Sequence, residues 1–179
     1  MTYTNSPLVD YTQISPHRGS RNGHAIDTIT IHCAAAQAAV ETLGRLFQTK
    51  QASANYGIGA DGRVGMYVEE KDRSWCTSNN ANDARAVTIE VACDNRHPYA
   101  VKDAVYKKLI ALVADVCKRN GIAKLVWSTD KYDRMNHKGG CNMTVHRDYE
   151  NKACPGQWLY DRHGQIAAEV NKILEDEDM

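Results

Sequence analysis

The chain has 179 residues, 42% hydrophobic and 25% charged, the balance of a soluble globular protein large enough for one proper core. Lys plus Arg equals Asp plus Glu, 22 against 22. Zero net charge disfavours a mainly electrostatic partner such as a nucleic acid, which rewards positive charge, and leaves open a neutral or mixed-charge polymer such as a glycopeptide.

The start, MTYTNSPLVDYTQISPHRG, lacks the basic segment followed by an apolar stretch that marks a secretory leader. No stretch reaches the roughly 18 apolar residues of a membrane span. Synthesis as a cytosolic protein without membrane insertion is therefore expected. The six cysteines, Cys33, Cys76, Cys93, Cys117, Cys141 and Cys154, show no regular spacing. With no sign of secretion they read as reduced thiols, one or more of them chemical.

In chain order, Ile26–Cys33 (IDTITIHC) alternates strictly, with Ile29, Ile31 and Cys33 on one side and Thr28, Thr30 and His32 on the other, which predicts a strand with one apolar face. Val40–Gln51 carries Val40, Leu43, Leu46 and Phe47 at helical spacing. Asn55–Ala60 and Arg63–Val68 flank Asp61-Gly62, a hairpin signal. Val87–Cys93 alternates again, setting Val87, Ile89, Val91 and Cys93 against Thr88, Glu90 and Ala92. The longest helix is predicted over Val101–Asn120, with Lys118 and Arg119 at its negative end and Gly121 just beyond. Lys124–Trp127 reads as a short strand, Ser128–Met143 as a long irregular loop, and Asp161–Leu174 as a last amphipathic helix. The order predicts an α/β (α+β) fold: a single mixed central sheet flanked by about three main helices. Residues 1–174 are expected to form one domain, and 175–179 an acidic tail that is either a solvated end or the start of a linker.

The densest chemical signal is TVHRDYENKACPG, residues 144–156, holding His146, Lys152 and Cys154 ahead of a Pro-Gly turn. An imidazole and a thiolate eight residues apart reach one ion if the chain loops between them. Zinc takes N and S ligands, and its catalytic sites keep three protein ligands and one open position. His32, at a strand end beside the small residues of CAAAQ, would be the third.

Taken together, IHC with His32, SANYGIG with Tyr56, TIEVA with Glu90, and VHRDYENKACPG resemble the type 2 N-acetylmuramoyl-L-alanine amidases, the family of phage endolysins and peptidoglycan recognition proteins. The resemblance runs from about residue 9 to residue 174 in the right order. It implies zinc held by His32, His146 and Cys154, and bacterial peptidoglycan as partner, cut between the lactyl group of MurNAc and L-Ala. It further implies Glu90, Lys152 and Tyr56 around the reacting amide. Glu90 either moves the proton or orients a ligand histidine. Lys152 would supply charge to the oxyanion, where one donor is worth roughly 2.7–4 kcal/mol, and Tyr56 a phenolic hydrogen bond, unless it is a packed strand aromatic. Many relatives have Trp-His where this chain has Trp75-Cys76, so Trp75 is either a substrate contact or core. His137 and Cys141 lie in the long loop, within reach of the cleft. A monomeric lytic enzyme is expected. The alternatives are a non-catalytic peptidoglycan-binding module, a cytosolic muropeptide-recycling amidase, and a metal-free cysteine hydrolase using Cys154 and His146. Cys154 argues against the first two, because binding-only relatives typically lack the thiolate and recycling relatives usually carry Asp.

Overall fold

A computed structural model describes residues 2–179. Its centre is a mixed sheet of six strands, built from β1 (Tyr11–Thr12), β3 (Thr28–Cys33), β4 (Tyr56–Ile58), β5 (Val64–Met66), β7 (Ala86–Val91) and β8 (Met143–Thr144) in the order β1-β5-β4-β7-β3-β8. Only β4 and β5 pair antiparallel; every other neighbouring pair is parallel. A separate ribbon pairs β2 (Arg18–Ser20) with β6 (Asp72–Ser74).

The alternation seen in sequence decides which face each side chain takes. Ile29 and Ile31 of β3 and Val87, Ile89 and Val91 of β7 point into the main core, against α3 (Asp103–Arg119) and α5 (Gln157–Glu177). Thr30, His32, Thr88 and Glu90 take the other face. There α1 (Val40–Thr49) packs Leu43 and Phe47 against Ala54 and Tyr67 in a smaller cluster. Gly57, beside Glu90 in the β4–β7 register, is what lets α1 come so close. A Cβ on it would stand 2.8 Å from the Tyr67 ring and 2.9 Å from Leu43. Helix α3 ends as its sequence forecasts: Gly121 takes φ +70°, with Ile122 N–H bonded to Cys117 O and Gly121 N–H to Lys118 O, a Schellman closure.

Several expected segments differ. Lys124–Trp127 makes no strand, because most of its backbone bonds go to asparagine side chains and only Val126 O accepts a backbone amide, that of Asn142. Leu125 exchanges two bonds with the Asn171 amide, and Val126 N–H donates to Asn142 Oδ1. The expected loop over 128–143 contains a short helix, α4 (Lys131–Met135), whose first amides are capped by Asp130. It ends in edge strand β8. Buried Arg134 ties it down through a two-pronged ion pair with Asp148, at 2.8 and 3.0 Å. Helix α5 starts at Gln157, straight after Gly156 at φ +81°. It continues through Glu177, where Lys118 pairs with Glu177, so most of the acidic stretch is its last turn. Charge carried by a helix end looks like a tail in sequence. Strands β2 and β6 and the short helix α2 (Asn80–Arg85) fall in segments too polar and too short for a periodicity to register. No helix among the described residues is long and apolar enough to cross a membrane.

Candidate metal centre

In open sheets of parallel strands, binding sites form beyond the carboxyl ends of the strands, and three such ends meet here. His32 is the penultimate residue of β3, and Glu90 stands directly beside it on β7 in the His32↔Glu90 register. β8, on the other side of β3, runs into a 3₁₀ turn that begins at His146. Cys154 comes from the turn before α5. One ligand atom from each of His32, His146 and Cys154 lies within 4.8 Å of the other two. Cys154 Sγ lies 3.3 Å from His32 Nδ1.

The remaining ring nitrogens are occupied. His32 Nε2 lies 3.0 Å from Thr77 Oγ1, and His146 Nε2 lies 2.8 Å from Glu150 Oε2. Thr77 is itself held by Asp83, whose carboxylate accepts from the amides of Cys76 and Thr77 at 3.1 and 3.0 Å. Burial and the neighbouring His146 hold the His32 pKa down at about 3, so its imidazole is neutral and able to donate a lone pair. Burial, then the nearby Cys93, push Glu90 up to about 7. The hydrogen bond from His146 lowers the Glu150 pKa.

This donor set suits zinc. A thiolate sulfur about 2.3 Å and an imidazole nitrogen about 2.0–2.1 Å from one tetrahedral zinc stand roughly 3.5 Å apart. The 3.3 Å between Cys154 and His32 needs to open only slightly. Second-ring bonds to a hydroxyl and a carboxylate are what ligand histidines ordinarily carry.

The triad lies in a cleft of about 480 Å³ whose walls include Leu46, Trp75, Cys76, Glu90 and Lys152. Glu90 and Lys152 are therefore placed to meet a substrate. Trp75, 38% exposed, is a wall of the cleft rather than core, its ring tilted against His17 with ring centres 5.2 Å apart. Tyr56 is not in the cleft, and its expected catalytic role is corrected. It pairs with Ile89, not Glu90, so its ring enters the main core and is fully buried. Its hydroxyl donates to Glu70 and accepts from Ser6 N–H at 2.8 Å. Period-two alternation puts Gly57, and not Tyr56, on the face of Glu90. Of His137 and Cys141, neither lines the cleft; His137 Nδ1 lies 3.0 Å from Cys141 O. All six cysteines are free thiols.

Sequence reasoning missed Thr77, Asp83, Glu150 and the thiol of Cys76. Glu150 was discoverable, lying four residues after His146 in HRDYE. Thr77 and Asp83 reach the site from a segment with no motif.

A family model described as N-acetylmuramoyl-L-alanine amidase matches residues 22–157, more than half of the chain and all of the triad. The chain belongs to the N-acetylmuramoyl-L-alanine amidase family. No curated protein sequence matches it, whereas solved structures do. A selenomethionine derivative of AmpD has 18% identity, covering 93% of this chain and 99% of that one, with a TM-score of 0.65. The N-acetylmuramoyl-L-alanine amidase LysC from Clostridium intestinale URNW has 18% identity, 91% and 95% coverage, and a TM-score of 0.59. Drosophila peptidoglycan recognition protein SA has 15% identity, 83% and 82% coverage, and a TM-score of 0.59. At these identities the likeness concerns the fold, the mixed α/β arrangement described above. As an N-acetylmuramoyl-L-alanine amidase, the protein is a hydrolase of an amide bond in peptidoglycan.

Proposed function

We propose that this amidase is zinc-dependent and endolysin-like. It would be a monomer made in the bacterial cytoplasm that lyses the wall by cutting between the MurNAc lactyl group and L-Ala. The observation that carries the reading is the convergence of His32, His146 and Cys154 within 4.8 Å, at the end of a cleft that also holds a carboxylate and an amine. Bound there, zinc supplies Lewis acidity for the carbonyl and for water.

The chain's own groups account for the rest. Glu90 takes the proton from the attacking water and returns it to the leaving amine, a role that suits a carboxyl raised toward neutrality. Lys152 offers a positive charge to the oxyanion formed when the carbonyl is attacked. Trp75 and Leu46, both exposed in the cleft, give the glycopeptide an apolar wall. Thr77 and Glu150 fix the two imidazole rings.

Digestion of purified cell wall followed by mass spectrometry tests the reaction. New L-Ala amino termini with intact glycan strands are expected; new reducing sugar ends would refute it. Chelation should abolish activity and Zn²⁺ restore it. A metal-free cysteine hydrolase using Cys154 and His146, whose reactive atoms lie within 4.8 Å of each other, would survive the chelator.

A further inference from the structure

A second group of donors occupies the same cleft. One ligand atom from each of His32, Cys76 and Glu90 lies within 4.8 Å of the other two. Cys76 has no part in the chemistry above, yet it is carefully held. Its amide and that of Thr77 both donate to the buried Asp83 carboxylate, and its thiol donates to Glu90 Oε2 at 3.8 Å. That spacing is near the roughly 3.6 Å expected for a sulfur about 2.3 Å and an oxygen about 2.0–2.2 Å from one tetrahedral zinc. Glu90 is fixed in turn by strand β7. The pair is therefore preset near the separation a metal would impose. Hard cations such as Mg²⁺ prefer oxygen ligands, so a thiol in the set selects for Zn²⁺ or Cd²⁺.

We propose that Cys76 and Glu90 form a second position for a thiophilic divalent cation, bordering the first at His32, and that filling it inhibits the enzyme. His32 Nδ1 faces Cys154 and Nε2 faces Thr77, so the second cation draws on Cys76 and Glu90 and completes its shell with water. Glu90 so engaged no longer moves a proton. The inhibition rests on the zinc-amidase reading; the binding does not.

The test is Cd²⁺ titration of the metal-free protein, with bound cadmium counted by elemental mass spectrometry after gel filtration. The wild type should retain one equivalent more than Cys76→Ala. Glu90→Gln keeps the thiol and the side-chain shape, and should lose that equivalent too; it serves as the measure if Cys76→Ala does not fold. Cys154→Ala should lose the other equivalent. Retention of the wild-type count by both Cys76→Ala and Glu90→Gln overturns the proposal. A loss confined to Cys154→Ala leaves the zinc-amidase reading standing without this second position. A loss confined to Cys76→Ala and Glu90→Gln does the reverse. Zinc added beyond one equivalent should slow wall digestion by the wild type at least tenfold, and leave Cys76→Ala at its own one-equivalent rate. Equal inhibition of both proteins refutes the inhibitory role.

Discussion

Replacing Thr77 with valine isolates one hydrogen bond of the proposed zinc site. Valine keeps the branched shape and removes the oxygen that stands 3.0 Å from His32 Nε2. A neutral imidazole carries one proton. Without metal that proton can sit on Nδ1, against Cys154 Sγ at 3.3 Å. With zinc on Nδ1 it must sit on Nε2, where Thr77 Oγ1 accepts it. His32 is 2% exposed, so no solvent replaces the lost acceptor. The penalty falls on the loaded state: about 1–3 kcal/mol for a buried donor left unpaired, or roughly 5- to 150-fold in affinity. Losses of about 10–100-fold are typical when a ligand histidine loses its partner. The assay is zinc competition against a chromophoric chelator at fixed pH, with melting of the metal-free protein as a folding control. A Thr77→Val dissociation constant within twofold of the wild type would show that the hydroxyl does not orient the ring, or that His32 is no ligand.

Glu90→Gln should keep the zinc held by His32, His146 and Cys154 and lower turnover by about 10²–10⁴-fold. As a base Glu90 must be ionised, so wild-type turnover should rise with pH up to about 7, lower with zinc nearby, and the variant should lack that limb. The same shift affects stability. The folded pKa lies above the unfolded one, so the folded state holds the proton longer and metal-free stability falls as pH rises between about 4.5 and 7. Glu90→Gln should remove that fall, about 3 kcal/mol at most, in denaturant titrations at pH 5 and pH 8; parallel curves for both proteins would contradict it. Arg134→Met leaves Asp148 buried without its partner and should cost about 3–5 kcal/mol; a melting temperature equal to wild type would refute that. Tyr56→Phe should destabilise by about 1.5–3 kcal/mol through the lost bond to Glu70, while digestion per folded molecule stays unchanged; a rate loss beyond tenfold would return Tyr56 to the mechanism.

The parts of the fold that sequence reveals are those where burial repeats. β3, β7, α1 and α3 each carry apolar residues at one clear period, and Ile29, Ile31, Val87 and Ile89 fall on the face their alternation implies. The same period puts His32 and Glu90 on one face, before any fold is known. Tyr56 shows where motif matching goes astray: NYG marked an aromatic for the site, while strand register sent it to the core. Lys124–Trp127 failed for another reason. Extended backbone can be satisfied by side-chain amides such as Asn171 and Asn142, and composition cannot tell that from a strand. Thr77 and Asp83 act through tertiary contact alone, so no local signal points to them.

The pairing of β3 with β7 has a further consequence for engineering. The span between His32 and Glu90 is one inter-strand step, which backbone hydrogen bonding holds near 4.7–4.9 Å, whatever the loops do. The cleft walls, by contrast, come from α1 and from the segments around Trp75 and Lys152. Grafting or randomising those walls should retune which glycopeptide is accepted while the working distance stays fixed. Sliding β7 by one residue would instead bring Ile89 or Val91 beside His32, and no redesign of the walls would restore the reaction.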